Sequence, residues 1–207
     1  MKPTIWDAQT GNEMLTLAGH DDKVMSATFS SDDRFVVTTC WGDPSKIWDS
    51  RTGEKLSTLR GQEGGLVFSA AFSPDGKLVV TAGNDNTARI WDARSGKELR
   101  TLNGHNNMVF SAVFSPDGKR VVTAAQDNTV KIWTAYSGKE LITLARHDDP
   151  VKSAAFSPDG RRLVTASWDN TAKIWDAADW TLTREEFLEQ KMQRYEKWVK
   201  DNLPKPE

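Results

Sequence analysis

The dipeptide Ile-Trp recurs along this chain at a nearly constant interval. The tryptophans are spaced 42, 43, 42 and 42 residues apart, at Trp6, Trp48, Trp91, Trp133 and Trp175. A period of this length marks a supersecondary unit that cannot bury its apolar surface alone and must stack against copies of itself. The repeat therefore constrains the fold more than any other feature, and functional surfaces are expected where repeats meet.

Each period has room for four short strands. Apolar runs rich in Val, Ile, Phe and Thr are separated by turn signals about every ten residues, which is typical of all-β proteins. Ser-Pro-Asp-Gly turns predict the hairpin between the first and second strands, and they begin at Ser73, Ser115 and Ser157. Asp-Asn pairs, which tolerate left-handed backbone, predict the next hairpin at Asp85, Asp127 and Asp169.

The third strand of each repeat carries Ile and Trp side by side. Because side chains alternate across a sheet, one of the two must point to each face, and both faces must be buried. A sheet that is covered on both sides by neighbouring sheets, in a radial repeat, is the arrangement of a β-propeller. The sequence therefore predicts an all-β propeller.

The chain resembles the WD-repeat β-propellers from residue 1 to about residue 180. Blades of that family have a Gly-His before the first strand, Ser or Thr in the second, Asp in the next turn and Trp in the third. The resemblance implies that these side chains form a buried hydrogen-bonded tetrad. Two repeats hold the full set, at His105, Thr123, Asp127 and Trp133 and at His147, Thr165, Asp169 and Trp175.

The other two repeats depart from the family pattern. One has glutamine at the histidine position, which predicts a weakened tetrad of Gln62, Thr81, Asp85 and Trp91. The first repeat keeps three of the four members, His20, Thr38 and Trp48. Its aspartate position holds Gly42, with Asp43 one residue later, so we expect a turn that is not closed in the normal way.

A His-Thr-Asp set also contains the parts of a hydrolase triad, but here it recurs in successive repeats. Catalysis needs one pre-organised site, whereas a motif present in every blade is explained more simply as a buried structural network. The sequence shows no Gly-rich phosphate loop and no paired Cys or His at metal-ligand spacing. We therefore expect no enzyme activity, no cofactor and no metal.

The repeats divide into about four and a quarter blades over residues 1–180. A half blade spans residues 1–19, and further repeats start near residues 20, 62, 105 and 147. Members of the WD-repeat family usually close a ring of seven, so we expect an incomplete ring or arc, either the C-terminal portion of a longer bacterial protein or the product of a truncated gene. The alternative is a homo-oligomer that completes a ring, because an open blade leaves an apolar face that invites association.

Residues 181–207 differ in kind from the repeats. Thr183 and Glu186 form a capping-box signature, and an apolar stripe follows at four-, three- and four-residue intervals at Leu188, Met192, Tyr195 and Val199. The pattern predicts an amphipathic C-terminal α-helix. It docks on the protein's own blades or receives a partner.

Net charge and cysteine content indicate which partners and which cellular environment to expect. A net charge of −2 does not steer the chain towards nucleic acid or acidic membranes. Basic residues near the Ser-Pro-Asp-Gly turns are expected on a solvated face of mixed charge, at Lys77, Lys119, Arg120, Arg161 and Arg162. The single cysteine, Cys40, excludes an internal disulfide and favours a reducing, cytoplasmic location, and no apolar run is long enough to span a membrane.

The family resemblance implies a non-enzymatic scaffold that binds a protein or peptide on the face carrying the histidine loops. By position, that face holds Lys23, Met25, Trp41, Leu66, Phe68, Asn84, Met108, Phe110, Gln126, Pro150, Lys152 and Trp168. Aromatic and methionine side chains are enriched at interface hot spots. The competing explanation is that several of these side chains only line the central channel.

Two other classes of function remain open at this point. One is a regulatory or sensor region of a larger bacterial signalling or protease-like enzyme, whose catalytic domain lies upstream. The other is a structural homo-oligomer.

Overall fold

The computed structural model describes residues 2–62 and 65–177, and all regular structure in these ranges is β. No helix in them has the length and apolarity that a membrane crossing needs. A two-stranded N-terminal hairpin comes first, made of β1 (Thr4–Trp6) and β2 (Glu13–Thr16). The predicted C-terminal helix lies outside the described residues.

Three four-stranded sheets and one three-stranded sheet follow. Sheet 1 contains β3 (Val24–Phe29), β4 (Phe35–Cys40), β5 (Ser45–Asp49) and β6 (Lys55–Leu59). Sheet 2 contains β7 (Val67–Phe72), β8 (Leu78–Gly83), β9 (Thr87–Asp92) and β10 (Glu98–Asn103). Sheet 3 contains β11 (Val109–Phe114), β12 (Arg120–Ala125), β13 (Val130–Thr134) and β14 (Glu140–Leu144). Sheet 4 contains β15 (Val151–Phe156), β16 (Arg162–Ser167) and β17 (Ala172–Asp176).

The hairpins within each sheet are closed by the predicted turn chemistry. All strand pairs are antiparallel between neighbours in sequence, as in Ala112↔Thr123 and Thr123↔Lys131 of sheet 3. In the first turn of that sheet, the amide of Gly118 donates to the Ser115 carbonyl at 2.8 Å. The next turn places Asn128 in the left-handed region, at a φ of 66°. The turn residues therefore set the register of each meander.

The sheets stack face to face, and the apolar core lies between them. Val80 and Ile90 of sheet 2 pack with Ala112, Val121 and Trp133 of sheet 3. Equivalent cores join sheet 1 to sheet 2 and sheet 3 to sheet 4. Burying one tryptophan contributes at most about 4 to 6 kcal/mol, since each covers about 150 to 250 Å². The predicted burial of both faces of the third strand is observed in sheets 1 to 3.

The first strands of the four sheets lie side by side, and the fourth strands lie outermost. β3 contacts β7, β7 contacts β11, and β11 contacts β15. Their ends line a shared groove of about 450 Å³, which is walled by Phe29, Phe72, Phe114 and Phe156. This radial order is the arrangement of propeller blades.

The prediction that the basic residues near the Ser-Pro-Asp-Gly turns lie on a solvated face is wrong for Arg120. It is only 6% exposed, and its guanidinium donates to the carbonyls of Ala177 at 2.9 Å and Gly160 at 3.4 Å. The same group lies 5.3 Å from the ring centre of Phe156. Burial lowers the pKa of Arg120. The arginine joins sheet 3 to sheet 4, a contact between repeats that the local charge pattern does not reveal.

Asn86 provides a test of the turn chemistry, because its φ of 66° is a conformation that most side chains disfavour. Asn86→Ala should lower the free energy of unfolding by about 1 kcal/mol, since asparagine tolerates left-handed backbone better than alanine. Asn86→Gly should lose less. Urea denaturation of the three proteins measures both effects, and equal losses for Ala and Gly would show that backbone conformation is not the cause.

Candidate functional site

A chain of side-chain hydrogen bonds crosses each of the four sheets, beneath the loops at one end of the strands. In sheet 3 the Trp133 indole N–H donates to Thr123 Oγ1 at 2.9 Å, and that hydroxyl lies 2.7 Å from His105 Nε2. His105 Nδ1 lies 2.9 Å from the Asp127 carboxylate. Because a carboxylate only accepts, Nδ1 carries the hydrogen and Nε2 accepts from the threonine hydroxyl. Four side chains are thereby satisfied in a largely buried site.

Sheet 4 repeats this network. His147 lies 2.6 Å from Asp169 and 2.8 Å from the Thr165 hydroxyl, which accepts from Trp175 at 3.0 Å. The two sets that match the family pattern in full therefore have the same connectivity. Each links the loop before the first strand, the second strand, the following turn and the third strand.

The carboxylates in these networks are held in the ionised form. Burial alone would raise the pKa of Asp127, but hydrogen bonds from His105, Thr129 and the Asn106 amide outweigh it and hold the pKa well below its usual value. For Asp169, bonds from Thr171 and His147 overcome the same effect of burial and also lower the pKa. Because each charge is bonded to several donors, the turn is fixed to the preceding loop.

Gln62 replaces histidine in sheet 2 and keeps the same links. The Thr81 hydroxyl donates to Gln62 Oε1 at 2.6 Å, and Gln62 Nε2 donates to Asp85 at 3.2 Å. Trp91 donates to Thr81 at 2.9 Å. The amide thus presents an acceptor to threonine and a donor to aspartate, as the neutral imidazole does. The expected weakening is visible only in the length of the Gln62–Asp85 contact.

Sheet 1 forms its network with Asp43, one residue later than the family position. The carboxylate lies 2.8 Å from His20 Nδ1, while His20 Nε2 lies 2.6 Å from Thr38, and Trp48 donates to Thr38 at 2.8 Å. Gly42, at a φ of 72°, provides the left-handed residue that carries the chain to this position. The β4–β5 ladder ends at Thr38↔Lys46, one pair earlier than the corresponding ladder of the other sheets, so the turn is not closed in the normal way, as expected. The carboxylate nevertheless reaches its partner.

His20, Cys40 and Asp43 bring three potential metal-ligand atoms within 4.8 Å of one another. The Lys46 ammonium forms an ion pair with Asp43, and both ring nitrogens of His20 already have partners. A cation here would face an ammonium group and compete with the structural network. The hydrogen-bond network therefore explains this cluster without a metal.

Above the networks, four of the predicted face residues form one cluster. The ring centres of Phe68 and Phe110 are 5.1 Å apart, and those of Phe110 and Trp168 are 5.9 Å apart. Lys152 Nζ lies 3.5 Å from the centre of Phe110 and 4.9 Å from that of Trp168. We call Phe68, Phe110, Lys152 and Trp168 the aromatic cluster. Its centre, Phe110, is 8% exposed, whereas Trp168 at its edge is 56% exposed.

A second exposed group lies on sheet 1. The Lys23 ammonium is 6.0 Å from the ring centre of Trp41, and Trp41 is paired with Leu66 of the next repeat. Met25 and Trp41 are 43% and 51% exposed. Lys23, Met25 and Trp41 therefore present further aromatic, apolar and cationic groups on sheet 1.

Residues of the predicted face also hold the loops together through backbone hydrogen bonds. In each repeat the amide of the residue before the network aspartate position donates to the carbonyl of the residue directly before the first strand. The donor and acceptor pairs are Trp41 and Lys23, Asn84 and Leu66, Gln126 and Met108, and Trp168 and Pro150, at 2.8 to 3.0 Å. The Asn84 side chain also accepts from the Leu66 amide at 2.9 Å. The face is thus braced by backbone bonds as well as by the networks.

The family model described as WD domain, G-beta repeat matches residues 11–49, 53–92, 96–134 and 138–176. The chain belongs to the WD-repeat family. Three of the four matched WD repeats contain the fourth strand of one sheet and the first three of the next, as residues 96–134 contain β10 to β13, and the first match contains β2 and the first three strands of sheet 1. One sequence repeat therefore ties two adjacent sheets together. No curated protein matches this sequence.

WD repeats generally mediate protein–protein interactions and are typically non-catalytic. The repeated networks agree with this, because each His-Thr-Asp set is tied to the third-strand tryptophan of its own sheet. No sequence signal could have singled out Lys152 as the residue covering Phe110. That contact depends on the path of one long side chain across two sheets.

The networks should contribute measurably to stability. Thr123→Val leaves the Trp133 indole N–H and His105 Nε2 without their buried partner, and should lower the free energy of unfolding by about 3 kcal/mol. Thr123→Ser keeps the hydroxyl and should cost about 1 kcal/mol through the lost methyl group. Chemical denaturation compares the two. If Val and Ser are equally destabilising, the hydroxyl does not hold the network together.

His20 should make stability depend on pH. Burial is the main reason that its pKa is lowered, and the nearby Lys46 adds to the effect against Asp43. The folded protein therefore binds a proton at His20 less readily than the unfolded chain, and stability falls as pH drops below about 6.5. His20→Gln should remove this part of the dependence, since Gln62 already fills the equivalent position in sheet 2.

The measurement is the free energy of unfolding at pH 7 and pH 5 for the wild type and His20→Gln. The loss between the two pH values should shrink in the variant. An unchanged loss in His20→Gln would assign the pH dependence to other groups.

Proposed function

We propose that this WD-repeat protein is a non-enzymatic interaction module that binds a segment of a partner protein at the aromatic cluster. One observation carries the proposal: Trp168 is 56% exposed beside two phenylalanine rings and a lysine on one surface. Tryptophan is among the side chains that dominate binding energy at interfaces, especially when its neighbours exclude water.

The cluster is supported from below, which favours tight binding. Its residues come from β7, β11 and β15 and from the turn after β16, so three sheets contribute. Trp168 directly precedes Asp169, which is fixed by His147 and Thr171. Since the backbone around the cluster is already ordered by these bonds, a partner would lose little affinity to loop ordering.

Lys152 suggests what the bound segment offers. Its ammonium forms no ion pair with a carboxylate in residues 2–62 and 65–177, and burial lowers the pKa of Lys152. An aspartate or glutamate of the partner would supply the missing acceptor, in a site where nearby rings strengthen the pair by displacing water. We therefore propose a segment with an apolar side chain for Trp168 and an acidic one for Lys152.

The test starts from random-peptide display against the 207-residue chain, followed by affinity measurements on selected peptides. Trp168→Ala should weaken binding at least about tenfold, because it removes the exposed anchor. Lys152→Met should weaken the same peptides and reduce the salt dependence of binding. The matched control is Tyr136→Ala, an exposed aromatic residue in the turn at the opposite end of the strands, 89% exposed. Equal binding by wild type and folded Trp168→Ala would refute the proposed site.

A further inference from the structure

One face of sheet 4 exposes side chains that are fully buried in the other sheets. Val164 of β16 and Ile174 of β17 are cross-strand neighbours, and they are 42% and 73% exposed. Ala166 and Ala172 form the adjacent exposed pair, and Ala155 of β15 lies opposite Val164. Together these five residues make a continuous apolar surface, which we call the open face.

The repeats themselves show what covers such a surface. The residues equivalent to Val164 in sheets 1 to 3 are at most 1% exposed, and they are Val37, Val80 and Val122. Those equivalent to Ile174 are equally buried, and they are Ile47, Ile90 and Ile132. In each case the cover is the next sheet, as when Val122 and Ile132 pack with Ala154 and Leu163 of sheet 4. The open face is therefore one half of an interface that the chain forms three times.

The other half is exposed at the opposite end of the array. On β3 of sheet 1, Ala27 is exposed and Phe29 is 48% exposed. The equivalents of Ala27 in later sheets are only 1 to 5% exposed, and they are Ala70, Ala112 and Ala154. The outer part of the same sheet is covered, because Ile5, Leu15 and Leu17 of the N-terminal hairpin pack on Val36 and Trp48.

We propose that two copies of this chain associate head to tail, with the open face of one copy packing on the β3 face of the next. The occupant is a second copy because each molecule carries both halves of an apolar contact that its own repeats already form. Such a contact uses different surfaces on the two partners, so repetition leads to a closed ring or to a growing chain. The contact uses other side chains than those of the aromatic cluster and does not rest on the proposed peptide site.

The N-terminal hairpin and sheet 4 each contain a strand that corresponds to the third strand of a complete sheet. β1 of the N-terminal hairpin and β17 of sheet 4 both contain Ile-Trp, and both stand where a third strand belongs. When the end sheets join, β15 and β16 supply the first and second strands while β2 supplies the fourth. β17 of one copy and β1 of the next then compete for the position of the third strand, and one of them is displaced. Because both contain Ile-Trp, either can form the hydrogen-bond ladder at that position.

The test is the mass in solution of the full 207-residue chain, measured by light scattering over a range of concentrations. The wild type should exceed the 23.1 kDa of one chain, and its mass should increase with concentration. Val164→Lys blocks the open face and Phe29→Lys blocks the β3 face, so each alone should be monomeric. The control Tyr136→Lys changes an exposed residue outside both surfaces and should behave as the wild type.

Mixing the two monomeric variants gives the decisive result. Each retains one intact half, so an equimolar mixture should form a 1:1 dimer and nothing larger. Ala27→Lys replaces Phe29→Lys if the latter does not fold, as judged by circular dichroism. A monomeric wild type would overturn the proposal and show that residues of the same chain cover the face or that it stays open. A mixture that remains monomeric would overturn it as well.

Discussion

Each sheet of this protein has two apolar faces, because isoleucine and tryptophan are adjacent in its third strand. A strand with large apolar groups on both sides is stable only between two other layers. Every sheet therefore needs a neighbour before it and a neighbour after it, and the chain satisfies this need by repeating itself. The inner strands converge as a result, and the loops at their ends are brought together on one surface.

The hydrogen-bond networks link this packing to the binding face. In sheet 3 the buried Trp133 is fastened through Thr123 and His105 to Asp127, which lies in the turn at the surface. Packing in the core thereby fixes a loop at the rim. The side chains of the aromatic cluster project from loops and strand ends that are held in this way. Stability and recognition share the same scaffold, although different side chains serve them.

Much of this organisation could be predicted from sequence because it depends on local chemistry. The strands, their order and the turns at Ser115 and Asn128 follow from alternation, proline and left-handed residues. The role of Asp43 is harder to predict, because its carboxylate reaches His20 only through a turn whose left-handed residue is Gly42 and whose ladder ends one pair early. Arg120 was misjudged, because a basic residue beside a turn usually lies in water, whereas here a neighbouring sheet covers it.

The number of repeats predicts that an incomplete ring leaves an apolar face open, but local pattern does not show which strands carry that face. Ile174 and Ile132 stand in nearly identical strand sequences, yet one is 73% exposed and the other fully buried. The difference is made by the next sheet, which no feature of either strand encodes. Similarly, the family resemblance gave the positions around the rim, but it could not indicate that Lys152 lies across Phe110.

The contacts between sheets also have a consequence for how the chain is made. Strands pair with their immediate successors, and the bonds between sheets join residues such as Ser69 and Ala112 or Arg120 and Ala177, no more than 57 positions apart. Folding slows when distant segments must meet, so a chain with such short-range contacts can form its sheets in order as synthesis proceeds. In the described part of this protein, no sheet has to wait for the last strand to return to the first. During synthesis, however, the most recently formed sheet has an uncovered apolar face until the next sheet is made. At that stage the growing chain is most exposed to association with an identical chain.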